Sequence, residues 1–281
     1  MSNPEPGITG ATGNLGGRVA RRLAEAGIPQ RLLVRDLARA PQLPHARAAA
    51  ITYADTPAVR EALSGLETLF MVSAMESQTR VEEHTGFIDA AVAAGVHHLV
   101  YVSFAGAAPD ATFTHARDHW HTEQYLRASG LNFTFLRDNL YADFMPQLAG
   151  EDGVIRGPGG DGRVAAVAQD DIAEVAVRIL TDPAPHAGQT YDLTGPEALS
   201  LTEVASILTK ATGRPVSYQN ETMDEARASR AVYNAPEWLV DAWISTYTAI
   251  AAGEVATVSN AIPELTGHPA TSLEELLRRP V

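Results

Sequence analysis

Apolar, β-prone segments alternate with helical patterns along the first half of the chain. The strand-like segments are residues 30–35, 67–72, 98–103 and 132–137, with a weaker one at 49–53. Helical patterns lie between them at residues 16–26, 56–63, 79–94 and 115–129, and several are followed by glycine, as helix C-termini often are. This alternation predicts an α/β fold with a doubly wound parallel sheet and right-handed crossovers.

A glycine-rich turn joins the first predicted strand to the first predicted helix. Gly10, Gly13 and Gly16 have the spacing G-x-x-G-x-x-G, and the helix is expected to begin near Leu15. Glycine permits a tight turn and a close approach of phosphate to the backbone, while free amides at a helix N-terminus attract an anion. We therefore predict a Rossmann-type fold that binds a dinucleotide pyrophosphate on Gly10, Ala11, Thr12, Gly13, Asn14 and Leu15. Only Gly7-Ile8-Thr9 precedes the turn, behind Pro4 and Pro6, so the first strand must be short.

The second predicted strand ends at Arg35 and Asp36, and Arg39 follows four residues after Arg35. An acidic residue at this strand tip is typical of NAD binding, because it accepts from the ribose 2′-hydroxyl. An arginine there pairs instead with the 2′-phosphate of NADP. The order of the residues favours NADP(H), and Asp36 leaves NAD open.

The pattern changes after Tyr141. A turn-rich loop at 156–163 lies between two short β-prone segments, and a helix at 170–180 and a strand at 190–194 follow. Helices are then predicted at 200–212, 224–232 and 237–252. We expect residues 1–150 to form the dinucleotide-binding domain, with 164–195 returning to it. Residues 151–163 and 196–281 are expected to form a smaller, mainly helical lobe on the substrate side.

Charge and composition restrict the partners. The formal net charge of −13 disfavours nucleic acid and anionic membranes as partners. There is no cysteine, which removes thiolate nucleophiles and thiolate metal sites, and Lys210 is the sole lysine. No signal-peptide pattern and no membrane-spanning apolar segment is visible, so we expect a cytoplasmic protein.

The chemistry is expected at the carboxyl ends of the predicted strands, where ligands bind in such folds. Ser73 and Ala74 follow one strand, Ser103 ends the next, and Asn139 and Tyr141 follow another. Ser103 has two interpretations, a direct role at the site or a hydrogen bond that caps its loop. His115 and His119 are spaced as on one helix face, but without an H-E-x-x-H motif they predict no metal site. His119 fits better as a polar wall or proton donor near the cofactor.

Several of these motifs together resemble the NmrA-like atypical short-chain dehydrogenases/reductases, in the branch of quinone oxidoreductase 2 and triphenylmethane reductase. The resemblance rests on the T-G-A-T-G-N-L-G turn at 9–16, Val34-Arg35-Asp36, Thr122-Glu123 and the segment 129–141. It implies that Arg35 and Arg39 meet the 2′-phosphate and that Asp55 approaches the adenine. It also implies that Ser73 and Ala74 line the path to the nicotinamide ribose, and that residues 139–141 border the nicotinamide pocket.

The chain departs from the typical family members at their Tyr-x-x-x-Lys pair. Counting back from Glu123 places His119 at the lysine position and His115 at the tyrosine position. Without that proton relay, the resemblance implies an NAD(P)H-dependent reductase of a small conjugated acceptor, such as a quinone or a cationic dye. His119 or Tyr141 would steer or protonate the product. The alternative is a non-catalytic redox sensor that binds the dinucleotide, and a homodimer through a helical interface also stays open.

Overall fold

A computed structural model describes residues 5–279. The strands are β1 Gly7–Thr9, β2 Gln30–Val34, β3 Ala46–Ala50, β4 Thr68–Met71, β5 His98–Phe104, β6 Asn132–Asp138, β7 Val154–Gly157, β8 Arg163–Val164, β9 Gln189–Leu193, β10 Leu199–Ser200 and β11 Ser217–Asn220. The α-helices are α1 Asn14–Glu25, α2 Pro57–Leu63, α3 Arg80–Ala93, α4 Thr114–Ala128, α5 Gln169–Thr181, α6 Leu201–Thr212, α7 Met223–Arg230, α8 Glu237–Ala252, α9 Ala261–Thr266 and α10 Leu273–Arg278.

A seven-stranded sheet has the order β3-β2-β1-β4-β5-β6-β9. The pairs β1–β2, β1–β4, β2–β3 and β4–β5 are parallel. The strand order therefore reverses on the two sides of β1, which is the arrangement of a Rossmann-type sheet. The predicted α/β fold is confirmed, including the short first strand, Gly7–Thr9.

The prediction for the third strand was wrong by three residues. We expected it at 49–53 because Ile51 and Tyr53 have high β propensity, whereas β3 runs over the alanine-rich segment Ala46–Ala50. Pairing with β2 sets this register, since Gln30 lies opposite Ala46 and Val34 opposite Ala50. Tyr53 lies beyond the strand, where its hydroxyl bonds to other strand ends.

The chain divides into two compact units. Within the described residues, unit one comprises 5–103, Asp118–Arg137 and Gln169–Tyr191. Its core lies where α2 and α3 pack beside the strands and includes Leu69, Phe87, Tyr101 and Phe135. Helix α1 packs on α5 in the same unit. The burial of this core positions the carboxyl ends of β1, β2 and β4.

Unit two comprises Phe104–Arg117, Asp138–Ala168 and residues 192–279. It contains the parallel pair β7–β11, the antiparallel pair β8–β10 and helices α6 to α10. Arg230 and Glu221 form a buried ion pair here at 3.0 Å, and the Arg230 guanidinium lies over the Tyr247 ring. The substrate-side role that we predicted for 151–163 and 196–281 stays a prediction. Within residues 5–279, no helix is long and apolar enough to cross a membrane.

Candidate functional site

The turn between β1 and α1 is closed by its own backbone. Gly10 has a φ of 64°, in the left-handed region that favours glycine, and the Gly13 amide donates to the Gly10 carbonyl at 2.8 Å. A Cβ added at Gly16 would lie 2.5 Å from the Gly10 carbonyl and from the Thr9 oxygen. The first turn of α1 therefore sits directly against the end of β1, at a distance that only glycine permits.

The N-terminus of α1 presents amides that lack an internal acceptor. Its N-cap residue is Gly13, which provides no side-chain hydrogen bond, and the first turn contains no acidic residue. Among the described residues, no acceptor bonds to the backbone amides of Asn14, Leu15 or Gly16. Thr12 and Asn14 are exposed. Amides at a helix N-terminus, combined with the helix dipole, suit a phosphate or pyrophosphate group.

Two arginines follow β2 beside this turn. Arg35 and Arg39 are exposed, and within residues 5–279 neither forms an ion pair with a carboxylate. The Asp36 carboxylate instead caps a short 3-10 turn over Leu37–Arg39 by accepting from the Ala38 amide at 2.9 Å. A carboxylate bound in this way is partly satisfied, while the guanidiniums keep donors for an anion, apart from Arg35 Nη2, which lies 3.5 Å from the Met75 sulfur.

The ends of β1 and β4 are tied together by side chains. The Thr9 hydroxyl accepts from the Val72 amide at 2.9 Å and from the Tyr53 hydroxyl at 2.9 Å. The Tyr53 hydroxyl also contacts the Val72 carbonyl. Burial raises the pKa of Tyr53, so it stays protonated at neutral pH. Tyr53 thus fixes the point where the strand order reverses.

Asp55 lies two residues beyond Tyr53. Its carboxylate accepts from Arg60 Nε at 2.6 Å, and this pairing holds the pKa of Asp55 below its usual value. The proposed approach of Asp55 to the adenine stays a prediction. The carboxylate would contact the adenine while still paired with Arg60.

The segment after β4 is held by hydrogen bonds from two side chains of α3. The Ala74 amide donates to His84 Nε2 at 2.8 Å, and Arg80 Nε donates to the Ala74 carbonyl at 3.1 Å. Ser73, which is half-buried, has no hydrogen bond among the described residues. Desolvation, with the Arg80 guanidinium nearby, lowers the pKa of His84 to about 3, so His84 is neutral. Ser73 therefore keeps its polar groups for a ligand, whereas Ala74 does not.

His119 lies in α4 and is buried. Arg80 Nη2 lies 3.1 Å from His119 Nε2, and the Tyr101 hydroxyl lies 2.9 Å from His119 Nδ1. Both ring nitrogens are thus engaged inside unit one. The predicted role of His119 as a proton donor stays a prediction, and these bonds favour a role in holding its neighbours in place.

Ser103 bonds to a buried carboxylate. Its hydroxyl donates to Glu123 Oε1 at 2.6 Å, and Arg137 donates to both Glu123 oxygens, at 2.8 and 2.6 Å. The Glu123 side chain is completely buried. Glu123 in α4 and Arg137 in β6, each part of a family motif, are therefore direct partners. The bond to Glu123 occupies the Ser103 hydroxyl.

Asn139 and Tyr141 lie in unit two. The Asn139 side chain donates to the Val255 carbonyl at 2.9 Å and accepts from the Leu140 amide at 2.8 Å. Tyr141 is half-buried and forms a bridge with Val167. These bonds order the chain after β6, and the contact of both residues with a cofactor stays a prediction.

Sequence reasoning missed Tyr53, Arg80 and His84. Tyr53 appears in the sequence as the last residue of a β-prone segment, and Arg80 and His84 lie among other polar residues, which is typical of solvent-facing side chains. The sequence did not indicate that these side chains are buried. An arginine at a helix N-terminus with a histidine four residues later is too common a pattern to predict burial. Among residues 5–279, no group of three His, Cys, Asp or Glu side chains is placed to hold a metal ion.

Comparisons with known proteins agree with this geometry. The profile of the NmrA-like family matches residues 7–232. The chain is 35% identical to the NAD(P)H azoreductase of Xenophilus azovorans, and the alignment covers 96% of each chain. It is also 35% identical to quinone oxidoreductase 2 of Escherichia coli, over 95% of this chain and 96% of that protein.

Two solved structures share the whole fold. The NADPH complex of the Escherichia coli NADPH-dependent quinone oxidoreductase has a TM-score of 0.88 at 33% identity, covering 97% of this chain and 98% of that one. The NADP(H) complex of Citrobacter sp. triphenylmethane reductase has a TM-score of 0.86 at 28% identity, covering 98% of this chain and 99% of that one.

Proposed function

This chain belongs to the NmrA-like family, and we propose that it is an NAD(P)H-dependent reductase of flat, conjugated acceptors such as quinones and azo or triphenylmethane dyes. The observation that carries the proposal is the turn from β1 to α1, where the N-terminal amides of α1 have no acceptor among the described residues and Gly16 lets the helix sit directly against β1. Two relatives that match over nearly the whole chain are named as an azoreductase and a quinone oxidoreductase, which supports this class of acceptor.

Residues of unit one are proposed to hold the adenosine phosphates and to border the nicotinamide ribose. The amides of Asn14 and Leu15 would hold the pyrophosphate, and Arg35 with Arg39 would hold the 2′-phosphate of NADP(H). When bound, the nicotinamide supplies the hydride. Ser73 lies along the same edge, with its hydroxyl and its backbone groups open to a ligand.

The acceptor needs little acid catalysis. A quinone or cationic dye disperses or neutralises charge when hydride adds, so a strong proton donor is not required in the transition state. This chemistry suits a helix α4 that carries His115 and His119 in place of tyrosine and lysine. Tyr141 and His119 remain the candidates for steering or protonating the product.

Turnover is tested with purified protein, NADPH and a panel of acceptors: a benzoquinone, a naphthoquinone, an azo dye and a triphenylmethane dye. We expect saturable NADPH oxidation with at least one of these and none with a saturated ketone, which requires a proton donor. Tight NADPH binding without turnover on any acceptor would contradict the proposal and favour the redox sensor.

Cofactor choice gives a second prediction. Arg35→Ala should weaken NADPH binding by about 10- to 150-fold, because a charge-assisted contact is worth roughly 1.5–3 kcal/mol. NADH lacks the 2′-phosphate, so its affinity should change little. Both dissociation constants are measured by titration of nicotinamide fluorescence.

Arg47→Ala is the matched control for this measurement. Arg47 is an exposed arginine that pairs with Glu5 at 2.6 Å. It lies near the amino end of β3, whereas Arg35 lies just beyond the carboxyl end of β2. It should leave the ratio of the two affinities unchanged. If Arg35→Ala behaves like Arg47→Ala, the assignment of the 2′-phosphate to Arg35 is wrong.

The partner class, the cellular location and the oligomeric state of the protein are also proposed. The net charge of −13 supports a small molecule rather than nucleic acid as the partner, and the cytoplasmic location stays a prediction. A homodimer is the oligomeric state to test first, by light scattering at several protein concentrations.

A further inference from the structure

The order of the strands gives the cofactor a direction along the sheet. In the sequence β2-β1-β4-β5, Arg35 follows β2, the glycine turn follows β1 and Ser73 follows β4. If Arg35 takes the adenosine 2′-phosphate and the turn takes the pyrophosphate, the nicotinamide half must extend toward the ends of β4 and β5. This step rests on the proposed function.

Arg80 lies next to the segment that follows β4. It is the first residue of α3, its side chain is only 7% exposed, and its guanidinium reaches two other segments. It bonds to the Ala74 carbonyl after β4, and to Asp118 at 3.4 Å and His119 at 3.1 Å in α4. A single buried cation thus joins the segment after β4 to α4.

The donors fix the protonation of both histidines in this cluster. A guanidinium has no acceptor, so His119 Nε2 must accept from Arg80, and His119 Nδ1 then carries the proton that faces Tyr101. His84 Nε2 accepts from the Ala74 amide, so His84 Nδ1 donates to the Thr122 hydroxyl at 2.9 Å. Two sets of hydrogen bonds therefore link Ala74 to α4, one through Arg80 to His119 and one through His84 to Thr122.

The segment after β4 is also anchored at its outer side. Met75 is exposed, and its sulfur lies 3.5 Å from Arg35 Nη2. Ala74 is thus held by Arg80 and His84, while Met75 contacts the Arg35 guanidinium and Ser73 is partly exposed.

We infer that Arg80 is a positioning residue for hydride transfer: it holds the Ser73–Met75 segment so that the nicotinamide half of the dinucleotide is fixed against it. Arg80 does not touch the cofactor in this arrangement. It acts through the Ala74 carbonyl and His119, and a buried guanidinium that bridges two segments is suited to this because its fork of donors is rigid.

The experiment compares Arg80→Gln and Arg80→Lys with Arg31→Gln. Arg31 is the matched control, since it is also a buried arginine of unit one that bonds to backbone carbonyls, those of Ala62 and Ser64 at 2.7 and 2.9 Å. It lies at the amino end of β2, away from the predicted ligand edge. Loss of stability alone should therefore be similar in Arg80→Gln and Arg31→Gln.

Three experiments are carried out on each variant. Titration gives the dissociation constant of NADPH, fluorescence gives the lifetime and anisotropy of bound NADPH, and steady-state kinetics give kcat with its primary deuterium isotope effect. For Arg80→Gln we expect NADPH affinity within about threefold of wild type, because the phosphate contacts are intact, and a kcat lowered by about 10- to 100-fold, the scale of a small misplacement of reacting groups. The bound nicotinamide should become more mobile and the isotope effect should rise. Arg80→Lys keeps the positive charge but loses the forked donors of the guanidinium. Its kcat and nicotinamide mobility should lie between those of wild type and Arg80→Gln.

Each outcome decides the inference. If Arg80→Gln matches Arg31→Gln in nicotinamide mobility, kcat and isotope effect, Arg80 is only structural and the inference is wrong. If Arg80→Gln does not fold, the same comparison is made with Arg80→Lys. Fluorescence of bound NADPH needs no acceptor, so wild-type protein that binds NADPH but reduces nothing would refute the proposed function while still testing Arg80.

Discussion

Replacing Arg137 with methionine is expected to lower the free energy of unfolding by about 3–5 kcal/mol. Arg137 donates to both oxygens of Glu123, a carboxylate that is completely buried. Methionine has a similar volume but no donor for the Glu123 carboxylate. Of the Ser103 and Arg137 bonds to this carboxylate, only the bond from the Ser103 hydroxyl would then remain. An uncompensated buried charge costs far more than the pair contributes, and urea unfolding followed by circular dichroism measures the loss.

Two further variants establish that burial causes this effect. Arg278→Met removes an exposed arginine that pairs with Glu274 four residues earlier in α10, and should cost no more than about 0.5 kcal/mol. The double variant Glu123→Gln with Arg137→Met removes both charges and should recover part of the loss seen with Arg137→Met alone. A loss for Arg137→Met no larger than that for Arg278→Met would show that burial of the Glu123 carboxylate does not increase the contribution of its arginine partner to stability.

The sequence identifies Glu123 and Arg137 as motif residues but not as partners. They are 14 residues apart, in a helix and the following strand, and no local pattern says that the two side chains point to the same place. The features predicted well are local ones: the glycine turn, the short first strand and the helices ended by glycine. Each depends on residues adjacent in the chain, so spacing and residue type suffice.

The features that sequence reasoning missed depend on distant segments. The position of β3 follows from pairing with β2 rather than from its own β propensity, since alanine is a poor strand former. The pair β7–β11 joins segments about 60 residues apart, for example Gly157 opposite Asn220. The cluster around Arg80 likewise joins three elements, so its polar residues look like surface positions until the sheet order brings them together.

Gly16→Ala is expected to weaken NADPH binding by at least about tenfold and to lower the free energy of unfolding. Helix propensity alone predicts the opposite, since alanine is favoured over glycine by about 1 kcal/mol inside a helix. The new Cβ, however, would lie 2.5 Å from backbone atoms of Gly10 and Thr9, which cannot move aside as a flexible side chain would. Helix α1 must therefore shift away from β1, and its N-terminal amides must shift with it. Titration with NADPH and urea unfolding measure the two effects.

Gly86→Ala provides the same substitution without the clash. Gly86 lies inside α3, and a Cβ there would lie 3.4 Å from its nearest neighbours, Ala54 and Asp55, which is an ordinary contact. Its expected effect is a gain of up to about 1 kcal/mol in stability with NADPH affinity unchanged. Opposite signs for the two glycines would show that the requirement at residue 16 comes from the approach of helix to strand. If Gly16→Ala lowered stability but left NADPH affinity intact, the position of α1 against β1 would not govern the anion site. The amides of Asn14 and Leu15 would then not be what binds the cofactor.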